Sequence, residues 1–181
     1  MSLIYIIGLP GVGKTQFGKK LARAMDFQFC DLDAEIEKKE GTQIVTLFKK
    51  YPESYFRKTE NKTLLETLNR TQTVVSTGGG TPQFYNNMEL MLEHGTVLYL
   101  TAEPAQIIKR IQQNKTTRPL FSALSNREIE QKVYFLLEKR APFYEQAHLY
   151  LHGKSIAINN KSIDNQRVTI ITQIQKHIVN F

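Results

Sequence analysis

The sequence contains one cysteine, Cys30, and no apolar run near its start that approaches the length of a membrane helix. A single cysteine cannot form an internal disulfide, and this usage favours a reducing compartment. The apolar run at residues 3–7 is far shorter than the roughly 18 residues that a spanning helix needs, and Gly8 ends it. No basic segment precedes it, as a secretory signal would require. We therefore expect a cytoplasmic protein that does not enter a membrane.

Repeats, linkers and low-complexity segments are also missing from the 181 residues. The hydrophobic fraction of 41% and the charged fraction of 23% are ordinary for a globular protein, which argues against wholesale disorder. A chain of this length is typical of one domain. We expect a single domain that spans residues 1–181.

The charge is unbalanced, because 24 lysines and arginines outnumber 17 aspartates and glutamates and leave a net charge of +7. A basic excess attracts anions, and both nucleic acids and phosphorylated metabolites are candidates. The basic residues are scattered rather than gathered in one arm, so most are expected to lie on solvated helix faces. The charge alone does not choose between the two kinds of partner.

Strand-like and helix-like segments alternate along the chain, which predicts an α/β fold with a parallel sheet and helices on both faces. The predicted strands are residues 3–7, 27–30, 74–75, 96–100 and 149–151. The predicted helices are residues 15–25, 34–39, 43–50, 52–69, 83–94, 104–111, 128–140 and 164–178. The polar stretch 112–126 has no clear period and is predicted to be a mobile loop.

A glycine-rich segment, GLPGVGKT at residues 8–15, follows the first predicted strand and precedes a helix. This is the GxxxxGK(S/T) phosphate-loop pattern in its required context. Glycines let main-chain N–H groups approach phosphate oxygens, and the helix that follows points its positive end at the same anion. Lys14 can reach the outer phosphates, and the Thr15 hydroxyl can hold Mg²⁺. The segment predicts a nucleoside triphosphate site.

Two motifs that accompany this loop in other nucleotide-binding families are absent. The third predicted strand, with the sequence VVST at residues 74–77, carries no aspartate of the Walker-B type. The candidate guanine-reading stretches, NKTL at 61–64 and NKTT at 114–117, lack the required aspartate. Both absences disfavour a switch GTPase.

Acidic side chains follow the second predicted strand, and a basic and an acidic side chain lie on a later predicted helix. Asp31 and Asp33 flank Leu32, and in an extended segment their carboxylates point to one side. There, one could bind a metal ion and the other a substrate. The alternative is that Asp33 caps the next helix. Arg57 and Glu60 lie three apart on one predicted helix, a spacing that also suits a surface ion pair.

Residues 78–80 are three consecutive glycines after a predicted strand, and Arg140 ends a predicted helix. Three consecutive glycines increase the conformational entropy that the backbone loses on folding. Close approach of a ligand to main-chain N–H groups is the expected compensation.

Six segments occur in the order and spacing seen in one family: GLPGVGKT, DLDAEIEKKEGTQI, FRKTE, VVSTGGG, RPL and EKRAPFYEQA. On these motifs the chain resembles the shikimate kinases from about residue 3 to about residue 151. One departure is Pro52, where the family usually has glycine, and it is expected to affect a helix start rather than the chemistry.

The resemblance implies transfer of the γ-phosphate of ATP to the 3-hydroxyl of shikimate, in aromatic amino-acid biosynthesis. Lys14, Asp33 and Arg118 are the implied catalytic residues, with Asp33 orienting the acceptor hydroxyl. The residues implied to bind ATP are Gly11, Val12, Gly13, Lys14, Thr15, Gln16 and Arg118. Those implied to bind shikimate are Asp33, Arg57, Gly78, Gly79, Gly80 and Arg140, with the two arginines on the carboxylate. Thr15 and Asp31 are implied to position Mg²⁺.

The same resemblance implies a P-loop kinase fold with five parallel strands in the order 2-3-1-4-5. It divides the domain into a core at 1–111 and 127–181, a lid at about 112–126 and a substrate-binding helical region at about 33–60. A monomer without nucleic-acid or membrane partners is expected. Arg110 is a weaker candidate for contact with adenine.

Two other functions remain as alternatives at this point. A kinase of the same fold could act on gluconate or a nucleoside monophosphate, although separated arginines and a glycine triplet favour a carboxylate acceptor. A nucleotide-dependent nucleic-acid adaptor would need an aromatic or basic stripe, which the sequence does not display clearly.

Overall fold

The computed structural model describes residues 3–115, 118, 120–152, 155–158, 171, 172 and 174. The strands are β1 (Leu3–Ile7), β2 (Gln28–Asp31), β3 (Thr73–Ser76), β4 (Thr96–Thr101), β5 (Leu149–His152) and β6 (Ser155–Ile158). The helices are α1 (Lys14–Met25), α2 (Leu32–Glu40), α3 (Ile44–Lys50), α4 (Glu53–Leu65), α5 (Asn87–His94), α6 (Pro104–Gln113) and α7 (Asn126–Tyr144). A short 3₁₀-helix, Thr81–Gln83, follows the glycine triplet.

The strands form one sheet in the order β2-β3-β1-β4-β5-β6. The first five are parallel, so the predicted order 2-3-1-4-5 is confirmed, and β6 adds an antiparallel edge that the sequence analysis did not predict. β1 lies between β3 and β4, and all five of its residues are buried. A strand covered on both faces is continuously apolar, which is why LIYII could be recognised.

Most of the predicted helices are confirmed with shifted ends, and one is wrong in extent. The predicted helix 83–94 is the 3₁₀-turn Thr81–Gln83 followed, after a break, by α5. The final predicted helix, 164–178, lies largely outside the described residues, although Ile171 and Ile174 are buried as expected. No helix in the described part of the chain is long and apolar enough to cross a membrane.

The predicted loop 112–126 is also partly wrong. α6 continues through Gln113, and Phe121 is fully buried in the main core, with Leu120 and Leu124 packed against it. An aromatic anchor therefore holds the segment that follows Arg118. The few apolar residues near Phe121 follow neither a helical nor a strand period, so the pattern could not reveal its burial.

Two separate apolar clusters support the fold. The main core lies on both faces of the sheet, whereas a small cluster of Ile36, Leu47 and Phe56 joins α2, α3 and α4. The three helices between β2 and β3 thus pack on one another through a separate apolar cluster. Its helices lie beside the carboxyl ends of the strands, where ligands bind in open parallel sheets.

Candidate active site

The phosphate loop connects the end of β1 to the start of α1. Gly8 and Gly13 have φ angles of +143° and +106°, which L side chains rarely adopt, and a Cβ on Gly8 would lie 2.3 Å from the Leu100 carbonyl oxygen. Glycine is therefore required at both positions. The resulting turn exposes main-chain N–H groups and the N-terminus of α1 at one place, which suits an anion.

Lys14, the first residue of α1, is buried beneath this loop. Its ammonium group donates to the carbonyl oxygens of Gly8 (2.9 Å) and Leu9 (3.1 Å). Burial lowers the pKa of Lys14 to about 8, and the negative charge of Asp33 opposes that change. The lysine is thus held as a cation close to the place that a phosphate would occupy.

Asp31 joins the phosphate loop to the second strand. Its Oδ2 accepts a hydrogen bond from the Thr15 hydroxyl at 2.7 Å, and its Oδ1 accepts from the Ala34 N–H at 3.4 Å. Asp31, not Asp33, therefore caps α2, and the alternative cap that the sequence left open is wrong. Among the described residues no group of three or more histidine, cysteine or acidic side chains could enclose a metal ion.

Asp33 lies on the cavity wall, in the first turn of α2. Desolvation raises its pKa to about 7, with further contributions from the negative charges of Glu60 and Asp31, while Lys14 acts in the opposite direction. Its carboxylate oxygen Oδ1 would be 3.1 Å from a Cβ on Gly78. A carboxylate with this pKa changes protonation near neutral pH.

Arg57 is held by two carboxylates and lies against the rings of Phe56 and Phe84. Its Nε and Nη2 donate to Oε1 of Glu53 (3.0 and 2.8 Å), and its Nη1 donates to Oε2 of Glu60 (2.8 Å). The guanidinium carbon lies 4.1 Å from the centre of the Phe84 ring. Arg57 is 6% exposed and Glu60 is fully buried, so their pair is not the surface ion pair that spacing alone suggested.

The glycine triplet lies between these groups and the phosphate loop. A Cβ on Gly79 would be 2.6 Å from Cδ of Pro10, and one on Gly80 would be 2.9 Å from both terminal nitrogens of Arg57. Any side chain here would occupy the space that separates the loop from the arginine. The close neighbours of the triplet are thus Pro10 and Arg57, and close approach of a ligand to its main-chain N–H groups stays a prediction.

The other two arginines differ in their surroundings. Arg140 is 3% exposed, and its buried Nε and Nη1 have no hydrogen-bond partner among the described residues. Its positive charge lowers the pKa of Lys14, although Arg140 is not among the residues that line the cavity. Arg118 does line the cavity, and its positive charge also lowers the pKa of Lys14. Its buried Nε has no partner in the part of the chain that the structure describes. Two cationic groups thus converge near Lys14 with donors unused.

One cavity of about 1110 Å³ connects these elements. The predicted site residues that line it are Gly11, Val12, Gly13, Lys14, Thr15, Gln16, Asp31, Asp33, Arg57, Gly78, Gly79, Gly80 and Arg118. Its far end is bordered by Arg110, which donates to the Val12 carbonyl oxygen (3.0 Å), and by the His152–Glu103 pair (3.2 Å). The cavity therefore extends from the phosphate loop in two directions, toward Arg57 and toward Arg110.

Sequence reasoning missed three side chains that organise this site. Thr81 donates to Oε1 of Glu60 at 2.6 Å, Phe84 stacks on Arg57, and the Tyr144 hydroxyl donates to the Gly79 carbonyl oxygen at 2.5 Å. Tyr144 follows Arg140 by four residues, which places both on one helix face and was the available signal. The other two carry no pattern in the sequence.

Comparisons with known proteins identify the family of this chain. A sequence model described as shikimate kinase matches residues 10–178. The shikimate kinase of Phocaeicola vulgatus is 42% identical over 151 residues, covering 83% of this chain and 86% of that protein. The shikimate kinase of Bacteroides fragilis is 38% identical over 148 residues, covering 82% and 83%.

Solved structures give the same result over nearly the whole chain. The crystal structure of the Bacteroides thetaiotaomicron shikimate kinase has a TM-score of 0.81 at 32% identity and covers 99% of both chains. The Acinetobacter baumannii shikimate kinase, solved in complex with shikimate, has a TM-score of 0.79 at 32% identity and covers 99% of this chain and 94% of its own. This chain therefore belongs to the shikimate kinase family.

Proposed function

We propose that this chain transfers the γ-phosphoryl group of ATP to the 3-hydroxyl of shikimate, with the residues of the cavity just described. The observation that carries this assignment is the shared cavity. One space is lined by the phosphate loop, the carboxylate of Asp33 and the guanidinium of Arg57. A triphosphate and a small organic acid can therefore lie end to end in it. An in-line displacement requires that arrangement.

The triphosphate binds where donors and positive charge converge. Main-chain N–H groups from Gly11 to Thr15 surround its phosphates, and the dipole of α1 favours their charge. Lys14 exchanges its two carbonyl partners for phosphate oxygens. Arg118 closes from the lid and stabilises the charge that spreads over the transferred group. Val12 and Gln16 complete this part of the cavity.

The pair of Thr15 and Asp31 fits a magnesium site. One hydroxyl and one carboxylate 2.7 Å apart on the cavity wall are a typical protein contribution, because Mg²⁺ keeps several waters and takes its other ligands from phosphate oxygens. Once bound, the ion would supply neutralising charge at the phosphates. The role of Asp31 is to hold the Thr15 hydroxyl and the ion's waters.

Arg57 recognises the carboxylate of shikimate. A guanidinium has five N–H groups, and the bonds to Glu53 and Glu60 use three of them. One N–H remains on each terminal nitrogen, and together these form the fork that matches a carboxylate. The terminal nitrogens face Gly80, where the missing side chain leaves room for the ligand.

Arg140 is the second cation for the same acid. Its unpartnered Nε and Nη1 are costly in a buried position unless a ligand accepts from them. A carboxylate between Arg57 and Arg140 would satisfy both arginines. Main-chain N–H groups of residues 78–80 add neutral donors at the same end of the cavity.

Asp33 orients the acceptor hydroxyl first and accepts its proton late. With a pKa of about 7 against roughly 15.7 for a water-like hydroxyl, prior deprotonation costs about 12 kcal/mol. A turnover of about 10 per second permits a total barrier of roughly 16 kcal/mol, which leaves too little for phosphoryl transfer. A loose transition state needs little charge on the nucleophile, so orientation is the larger contribution.

The remaining assignments concern the organisation of the domain. The helical region from about 33 to 60, which has its own apolar cluster, closes over the acid, and the lid from about 112 to 126 closes over the phosphates. A monomer in the cytoplasm, without nucleic-acid partners, is the expected state. Sedimentation analysis of the purified chain tests the first part of that expectation.

An ADP-release assay tests the function. With Mg²⁺ and ATP present, shikimate should stimulate ADP release, whereas quinate, gluconate and AMP should have little effect. Phosphorus NMR of the product should place the new phosphate at the 3-hydroxyl. Stimulation by gluconate or AMP instead of shikimate would refute the assignment, and so would phosphate at another hydroxyl.

A further inference from the structure

Tyr144 is buried at the end of α7 and has a polar atom with a specific partner. The side chain is 1% exposed, and its ring packs on Tyr99 with 4.9 Å between the centroids. A buried phenol requires a hydrogen-bond partner, and here that partner is the carbonyl oxygen of Gly79 at 2.5 Å, 65 residues away in the sequence. The contact joins the last turn of α7 to the glycine triplet.

The carbonyl of Gly79 controls the direction of the next N–H group. A trans peptide is planar, so the Gly79 carbonyl and the Gly80 N–H point in opposite directions. No cis peptide occurs among the described residues. The Gly80 N–H donates to no main-chain oxygen of the described residues. Holding the Gly79 oxygen toward α7 therefore turns the Gly80 N–H away from α7.

The rest of the triplet does not determine this orientation. Glycine has no Cβ to restrict it, so a peptide between two glycines rotates with little steric resistance. The close neighbours, Pro10 beside Gly79 and Arg57 beside Gly80, restrict position by contact but accept no hydrogen bond from this peptide. The Thr81 N–H donates to the Gly78 carbonyl oxygen (3.2 Å) and the Gln83 N–H donates to the Gly80 carbonyl oxygen (2.9 Å), so these bonds hold the neighbouring peptides. The Gly79 carbonyl oxygen is held by the Tyr144 hydroxyl.

Tyr144 is also tied to Arg140, one helical turn earlier. The positive charge of Arg140 and a hydrogen bond from it lower the pKa of the Tyr144 hydroxyl, against a larger increase from burial. One hydroxyl thus contacts a cation on α7 and the main chain of the glycine turn. The relative placement of these two groups depends on it.

We propose that Tyr144 is a positioning residue for the acceptor side of the site. It fixes the Gly79–Gly80 peptide so that the Gly80 N–H donates to the bound acid. It also holds the Arg140 side chain in position beside that donor. This role rests on the proposed function, because the acid is the ligand that both groups serve. Tyr144 itself does not touch the reacting atoms.

The test compares Tyr144→Phe with Tyr5→Phe. Tyr5 is also fully buried, and its hydroxyl bonds Thr67 at 3.0 Å, so its loss costs a comparable buried hydrogen bond. Tyr5 does not line the cavity. We expect Tyr144→Phe to lower kcat/KM for shikimate by about tenfold and to leave the dissociation constant for ATP within about twofold. Tyr5→Phe should lower Tm without changing either quantity.

A second measurement does not depend on activity. In protein labelled with ¹⁵N-glycine, the amide signal of Gly80 should shift in Tyr144→Phe and stay unchanged in Tyr5→Phe. An unchanged Gly80 signal, or equal losses for ATP and shikimate, would overturn the positioning role. If the wild-type protein did not phosphorylate shikimate, the proposed function would fail, and the amide signal would still decide whether Tyr144 orients the peptide.

Discussion

Gly80 lies directly against the end of Arg57: a Cβ built on Gly80 would be 2.9 Å from both terminal nitrogens of the guanidinium. The arginine cannot move away cheaply, because Glu53, Glu60 and the Phe84 ring hold it. The glycine is required here for space and not for its backbone angle.

Gly80→Ala should therefore raise KM for shikimate by at least about tenfold, since the added methyl group displaces the fork or overlaps the acid. Affinity for ATP should change little. Gly41→Ala is the control, because Gly41 has a φ of +63° and no atom within 4 Å of its Cβ position. That control should lower Tm and leave the kinetics intact; a normal KM in Gly80→Ala would contradict the geometry.

ATP binding should weaken above pH 8, because the pKa of Lys14 is about 8 in the ligand-free protein. Below that pH the ammonium group is charged and attracts phosphate; above it the affinity should fall by up to about tenfold per pH unit. Calorimetric titration with a non-hydrolysable ATP analogue from pH 7 to pH 9.5 measures the change.

Lys14→Met provides the comparison for that titration. It should bind the analogue weakly with no such pH dependence, abolish phosphoryl transfer and keep the wild-type circular dichroism spectrum. A variant with near-normal turnover, or with the wild-type pH slope, would remove Lys14 from the phosphate site.

Asp33→Asn should reduce kcat by at least about 100-fold, because a neutral amide orients the acceptor hydroxyl less firmly than a carboxylate and cannot accept its proton. The dissociation constant for ATP should stay within about threefold of wild type. Asp26→Asn makes the same chemical change at an exposed turn and should have no effect. Collapse of ATP affinity in Asp33→Asn would instead assign this carboxylate to the metal shell.

The same substitution should change the pH dependence of stability. Asp33 has a folded pKa of about 7 against an ordinary 3.8, so the folded protein holds an extra proton between these values. Its contribution to stability is complete below about pH 4 and is lost as the pH rises through 7. Asp33→Asn removes that loss.

In thermal unfolding of the ligand-free protein, Asp33→Asn should have a Tm several degrees above wild type at pH 8. The difference should shrink steadily as the pH falls toward 4. A difference that grows on acidification would reverse the sign of the argument.

The lid should become resistant to protease when both substrates bind. Trypsin cannot use Arg118, which precedes proline, but Lys115 is followed by threonine and is a suitable site. Cleavage after Lys115 should be slowest with shikimate and an ATP analogue together, since the polar segment orders by gaining ligand contacts. Identical rates with and without ligands would count against closure.

Local patterns were sufficient for the parts of this protein that depend on neighbours in the chain. The apolar run before Gly8 and the glycines and lysine after it predicted a strand, a turn and an anion site, because each residue type acts within a few positions of itself. The same holds for the five parallel strands. The helix predicted at 83–94 begins only at Asn87, because the 3₁₀-turn Thr81–Gln83 and Tyr85, with a φ of +52°, come before it.

Contacts between distant segments could not be obtained in this way. Spacing placed Arg57 and Glu60 on one helix face, but only packing of α4 against the rest of the fold decided that the face is buried. Buried ion pairs and surface ion pairs have the same spacing and differ in their surroundings. The raised pKa of Asp33 has the same origin.

The amino-acid order by itself predicted a phosphate site on a loop between a strand and a helix, and it supplied the carboxylates and arginines from which an acceptor site could be built. The tertiary structure alone decided how those groups face one another. Gly80 lies against Arg57, the Tyr144 hydroxyl donates to the Gly79 carbonyl oxygen, and Asp33 lies on the cavity wall where it is poorly solvated. The reason is physical. A side chain's type and its near neighbours are written in the sequence, whereas its solvation and its distant partners arise only when the sheet and helices pack.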